Sequence, residues 1–222
     1  MKNRIKLFLV GVLTILVTAS YAQNYIIKGG LNLSNMVFKD DERTYSQDLK
    51  MNTGFNVGAT IELPVDDHFS FETGLILSTK GYMLEGDETF KSSLDLYYLD
   101  IPITWKGYLN VGEAKVYGVL GPYIGIGLSG TDKLTITYDG QSETIKEKIE
   151  WGSVGAEDDF ERMDLGMIFG GGLEFKKVQL GVSYSLGLTS ILPYQGYDRV
   201  VKNRVLSISM GYIFCNRQID MQ

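Results

Sequence analysis

The chain has 222 residues, 44% of them hydrophobic and 12% aromatic, with one histidine, one cysteine and a net charge of −6. The acidic balance excludes nucleic acid as the expected partner. The lone Cys215 rules out an intramolecular disulfide framework.

The first residues read as an address. Lys2, Arg4 and Lys6 form a basic start. Residues 7–17 are apolar, too short to span a bilayer as a helix. Ser20-Tyr21-Ala22 is a small-x-small cleavage site. The expectation is a signal peptide over residues 1–22 and a mature domain over 23–222 that begins at Gln23. Cleavage leaves 18 basic residues against 27 acidic, a net charge of −9. The length suits a single domain.

From there the period is two. A first strand over 24–34 alternates Tyr25, Ile27, Gly29, Leu31 and Leu33 with Lys28, Gly30, Asn32 and Ser34. A polar loop over 35–51 follows. The second strand, 52–63, sets Phe55, Val57, Ala59 and Ile61 against Gly54, Asn56, Gly58, Thr60 and Glu62. A short turn holds Asp66, Asp67 and His68. The third strand runs from 69 to about 80, with Glu72 on its polar face, and a longer connection fills 81–93. The fourth, 94–106, opposes Tyr97, Leu99, Ile101, Ile103 and Trp105 to Tyr98, Asp100, Pro102, Thr104 and Lys106. A turn over 107–114 leads to the fifth, 115–128. Pro102 and Pro122 cannot donate to a ladder, so local bulges are expected at both.

The longest connection, 129–162, carries nine acidic residues against four basic. Residues 134–138 and 144–151 look extended around Asp139-Gly140, a hairpin signal. They are expected to continue the fifth and sixth strands as a ribbon beyond the membrane. The acidic charge reads as a solvated loop.

Residues 163–189 carry the clearest pattern. Leu165, Met167, Phe169, Leu173 and Phe175 share one face, and small residues with Asp164 and Glu174 share the other. After Lys176-Lys177, alternation resumes with Val178, Leu180, Val182, Tyr184, Leu186 and Leu188. Phe175 and Val178 flank a two-residue turn, although Lys-Lys is not a favoured pair and a longer loop stays open. Residues 190–203 form another long loop, and an eighth strand ends in Leu206, Ile208, Met210, Tyr212 and Phe214.

The bulky face is unbroken and the opposite face is small and polar. A soluble barrel hides its bulky face; a membrane barrel turns it to lipid. Eight strands with alternating short and long connections fit the second case. Tyr25, Phe69, Phe71, Trp105, Phe175, Tyr212 and Phe214 fall at the short-turn ends, as an interfacial girdle would. The fold class is therefore all-β, an eight-stranded antiparallel up-and-down transmembrane barrel. A soluble exported lipocalin-like barrel with an apolar ligand is the alternative.

Four stretches carry a family resemblance: YYLDIPITWKGYL, KVYGVLGPYIGIGL, DLGMIFGGGLEF and VQLGVSYSLGLTSI. The chain resembles the small outer-membrane β-barrel family labelled porin-like or PorT-like. Tyr212-Ile213-Phe214 resembles the terminal aromatic signal read by barrel assembly machinery, although residues 215–222 extend past it. The resemblance implies an outer-membrane location, membrane lipid and the assembly machinery as partners, and envelope or secretion proteins as further ones. Members named PorT are implicated in protein secretion and maturation.

An eight-strand lumen is just wide enough for side chains to fill. Lys28, Glu62, Glu72, Asp100 and Lys106 share the inward face, placed toward the short-turn end. Pairing among them would plug the lumen, since buried charges are normally paired; a proton or ion path is the functional alternative. Catalysis finds no constellation. Some eight-strand outer-membrane barrels modify lipid, but the only histidine, His68, lies in a short turn on the side opposite the long loops. Asp66, Asp67 and His68 are adjacent and make a poor metal cage. Gly170-Gly171-Gly172 lies within a strand, not before a helix, so it is no nucleotide loop. No catalytic, metal or cofactor-binding residue is assigned. The expected function is non-enzymatic, structural, adhesive or secretion-associated, through the outer loops.

Overall fold

The computed structural model describes residues 23–39, 50–86, 89–138, 141–154, 158–193 and 199–214. The expected signal peptide over 1–22, the Asp139-Gly140 pair and the tail with Cys215 lie outside them. Nine strands occur among the described residues: β1 (Asn24–Lys39), β2 (Asn52–Pro64), β3 (Phe69–Glu85), β4 (Phe90–Val111), β5 (Ala114–Tyr138), β6 (Gln141–Lys148), β7 (Met163–Phe175), β8 (Val178–Gly187) and β9 (Val200–Ile213). Every ladder is antiparallel. Neighbours run β4-β3-β2-β1-β9-β8-β7-β5, and a β4–β5 pairing closes the ring. Closure removes every edge within the bilayer, where an unpaired backbone group would cost several kcal/mol, about the cost of burying an unbonded amide.

The expected count of eight is corrected to nine. Eight strands form the ring, and β6 pairs with β5 alone, outside it. The ribbon above the membrane is therefore not an extension of β5 and β7. β7 begins at Met163, opposite Ile126, whereas β5 runs on to Tyr138 between β4 and β6. Tyr138 pairs with Gln141 across a two-residue connection, and closing so short a loop costs little entropy.

Other strands also outrun their expected ends. β1 reaches Lys39 opposite Val200, and β3 and β4 pair up to Glu85 and Lys91. The β4–β5 turn shrinks from 107–114 to Gly112-Glu113, where Gly112 takes φ 63°, a conformation open to glycine at no steric cost. Lys176-Lys177 does form the two-residue turn, with Lys176 at φ 55°. The bulges expected at Pro102 and Pro122 are absent. Register holds through both prolines, and the ladder slips instead at Leu128, with Tyr97 opposite Ser129 and Tyr98 opposite Gly127. Leu128 and Ser129 both face outward as a result.

The outer surface is apolar. Ile27, Leu31, Val57, Leu75, Leu120, Phe169, Leu180, Val182 and Ile208 are all exposed. The inside is polar: Asn32, Thr60, Glu62, Glu72, Lys80, Lys106, Asp164 and Asn203 are buried. A lipocalin-type barrel has the opposite arrangement, so that alternative is excluded. The expected girdle exists at the short-turn end. Tyr25, Phe69, Trp105, Phe175, Tyr212 and Phe214 are exposed, and Phe71 is half-buried with its ring 5.7 Å from that of Trp105.

Candidate functional site: a lumen closed by ion pairs

Two ion-pair clusters occupy the lumen at different heights. The lower one joins β1, β2, β3 and β4. Lys106 Nζ lies 2.7 Å from Glu62 and 3.6 Å from Glu72, and Lys28 pairs with Glu72. Lys106 is fully buried, and the Tyr117 ring centroid sits 4.4 Å from its ammonium. Two cations meet two carboxylates, so the cluster is neutral. Four of the five residues expected on the inward face are thus brought together.

Asp100 is not among them. It sits six residues above Lys106 on the same face and joins an upper cluster. There Lys80 Nζ lies 2.8 Å from Asp100 and 3.0 Å from Asp164. Asp164 Oδ2 also accepts from Tyr123 Oη at 3.1 Å and Asn203 Nδ2 at 2.9 Å. The rings of Tyr98 and Tyr123 each lie 4.5 Å from the ammonium, in cation–π range. Lys80 stands at the end of the third strand expected from the sequence and outside the expected set of inward charges. The signal was there, since Lys80 lies an even number of residues from Glu72 and so shares its face. Between the clusters is a cavity of about 110 Å³, lined in part by Asn56, Ser78, Ser183, Ser185 and Ser207. Asn32 ties this layer together, donating to Ser78 Oγ at 3.0 Å and accepting from Asn56 and Ser207 at 2.7 and 2.8 Å.

Above Lys80 the chain builds an apolar cap. Met36, Leu94, Leu96, Tyr98, Phe160, Ile191 and Val201 form one buried cluster, with Trp151 packed against it. The Trp151 ring meets that of Tyr98 edge-on at 5.6 Å. The loop carrying Trp151 and Phe160 is pinned across the mouth: Glu161 N donates to Ile191 O at 2.7 Å, and Ile191 N to Val201 O at 2.9 Å. Part of the acidic connection therefore shapes the cap. Asp158 Oδ2 accepts from Val154 N, and Asp159 Oδ2 from Glu150 N, both at 2.8 Å.

The short turn with the only histidine is held by Asp66. Asp66 Oδ1 accepts from His68 N at 2.7 Å and Phe69 N at 2.8 Å, the pattern of an Asx turn. Among the described residues no three of histidine, cysteine, aspartate or glutamate are grouped as a metal site. Gly170-Gly171-Gly172 lies inside β7. A Cβ on Gly172 would come within 2.1 Å of Leu180 O and 2.6 Å of Tyr117 Oη, so the close approach of β8 and the Tyr117 hydroxyl requires glycine there.

An apolar exterior, a polar filled interior, a closed antiparallel ring and an aromatic girdle define a transmembrane β-barrel of the outer-membrane class. Residues 21–192 match the family model described as outer membrane protein beta-barrel domain, and the chain belongs to that family. Its location is the cell outer membrane. No curated protein matches the chain by sequence. Among solved structures it is similar to Ail, the attachment invasion locus protein of Yersinia pestis, at 18% identity over 87% of this chain and 99% of that one, with a TM-score of 0.42. It is also similar to Neisserial surface protein A at 11% identity, 86% and 97% coverage and a TM-score of 0.40. The outer membrane protease OmpT of Escherichia coli shares 8% identity, with 87% and 97% coverage and a TM-score of 0.30. At such identities likeness does not extend to activity.

Proposed function

We propose that this protein is a non-conducting, non-enzymatic barrel whose work is done outside the membrane, as a structural, adhesive or secretion-associated surface. The observation that carries this reading is the double closure of the lumen: two ion-pair clusters stacked beneath an apolar cap. A transport path would have to break buried charge pairs at two levels and displace Trp151 and Phe160. Against catalysis stands the placement of His68, in an exposed turn at the end opposite the cap. The cap and the ribbon beside it offer a surface to a partner in the envelope or beyond it.

Planar-bilayer recording of the purified protein tests the reading. The expected record is flat, without reproducible conductance steps at moderate voltage. Steady unit steps from the wild-type protein would overturn it.

A further inference from the structure

Above the bulge at Leu128, β5 parts from β7 and pairs with β6 instead, so β4, β5 and β6 continue the wall beside β3 as a ribbon whose two faces differ in charge. Register assigns every side chain to a face. Leu94 and Leu96 point into the cap, so their partners Asp132 and Gly130 share the inner face. Leu134, Ile136, Glu143, Ile145 and Glu147 follow on that face. The outer face holds Lys91, Lys133, Lys146 and Lys148 among threonines and serines. Every ribbon lysine is on the outer face, and Asp95 is the ribbon's one carboxylate there. Lys133 pairs with Asp95 at 2.6 Å and Lys91 with Glu85 at 3.1 Å. Lys146 and Lys148 are exposed, and β6 has no second neighbour in the sheet.

The height of this face decides what it meets. The lipid-facing apolar surface of β5 ends at Leu128. Lys148 stands opposite Thr131, three residues higher. With a rise near 3.3 Å per residue and the usual barrel tilt, Lys148 lies about 8 Å above the hydrocarbon edge. The polar layer of a bilayer is about 5–8 Å deep on each side. Lys148 therefore stands at the outer limit of the headgroup zone, and Lys133 and Lys146, two residues higher at about 13 Å, reach down to it with their long side chains; this face looks outward over the lipid, and the acidic face looks away from it.

We propose that the outer face of the β4–β5–β6 ribbon binds the phosphate groups of outer-leaflet lipid, with Lys146 and Lys148 as its free cations and Lys133 beside them. The hydroxyls of Thr131, Thr135 and Thr144 add hydrogen-bond donors between the lysines. Charge complementarity selects the occupant. A second copy is disfavoured, because symmetric antiparallel pairing about Ile145 would set Glu143 against Glu147 twice.

Amide hydrogen exchange of the full chain tests this, in nanodiscs of pure phosphatidylcholine and of phosphatidylcholine mixed with phosphatidylglycerol. Exchange across β6 should slow roughly fivefold or more in the anionic discs, since each lysine near an anionic surface contributes on the order of 1 kcal/mol. High salt should reverse it. Lys146→Glu with Lys148→Glu should abolish the difference, while β8 and β9 exchange as in the wild type and report an intact ring. Equal β6 exchange in both discs overturns the proposal. So does protection by soluble dextran sulfate in pure phosphatidylcholine discs without protection by phosphatidylglycerol, which would make the partner a soluble polyanion.

Discussion

Lys80 is the residue on which the upper closure depends. Its ammonium stands between two carboxylates and two tyrosine rings, all inside the barrel. Removing one partner from a buried charge cluster costs about 3–5 kcal/mol, because the charges left behind keep their desolvation. Lys80→Met would leave Asp100 and Asp164 facing each other without a cation. Denaturant titration in detergent micelles should show a loss of that size. Adding Asp100→Asn and Asp164→Asn to Lys80→Met should restore much of it, since neutral amides tolerate a polar, uncharged neighbourhood. A Lys80→Met protein as stable as wild type would remove the cluster from the account of what holds the upper lumen shut.

At the scale of the element, the ribbon shows a local conflict. Asp132 and Glu147 are directly opposed across β5 and β6, and like charges in that position repel. Burial, then the charges of Glu147 and Asp159, push the Asp132 carboxyl above the usual carboxylate range. A carboxyl whose folded value is raised binds its proton more readily in the folded ribbon than in the unfolded chain. At neutral pH the charge is present in both states and works against the ribbon. As pH falls through the raised folded value, that cost is relieved. Asp132→Asn should therefore slow β6 exchange at neutral pH, with an advantage over wild type that shrinks on acidification. An advantage that grows in acid would give the opposite sign and contradict it.

The same ribbon shows where sequence legibility ends. Within the bilayer, lipid forces bulky residues outward, so Phe169 and Val182 alternate visibly with Gly170 and Ser183. Above it the outward face meets water and the inward face becomes the core. Alternation continues but its sign inverts, with Leu94 and Leu96 inside and Lys91 and Ser93 outside. Met36 and Val201, read as loop residues, lie in strands for the same reason. The bulge at Leu128 changes parity in β5 without a glycine or proline at that residue to announce it. The lower ion cluster was readable because Glu62, Glu72 and Lys106 sit on strands of unambiguous parity. In the upper one parity places Lys80, Asp100 and Asp164 on the inward face, but their common height follows only from the register of β3, β4, β5 and β7.

The whole molecule is a ring, and it closes where its first and last strands meet. Phe214 N donates to Tyr25 O at 2.8 Å, and Ile213 stands opposite Ile26. The Phe214 ring is exposed and meets Tyr212 at 5.0 Å, so it contributes to the girdle more than to any core. We propose that assembly machinery reads this exposed aromatic, a role separable from packing. Phe214→Ala and wild type should refold at similar rates into vesicles of lipid alone, as followed by heat-modifiable gel mobility. In vesicles that also hold the purified assembly machinery, the variant should insert several-fold more slowly. Deleting residues 215–222 should change neither rate. Equal rates for Phe214→Ala and wild type with the machinery present would end the assembly role. Equal slowing in both kinds of vesicle would assign the Phe214 ring to the girdle, because the ring-closing hydrogen bond to Tyr25 needs only its backbone and survives the substitution.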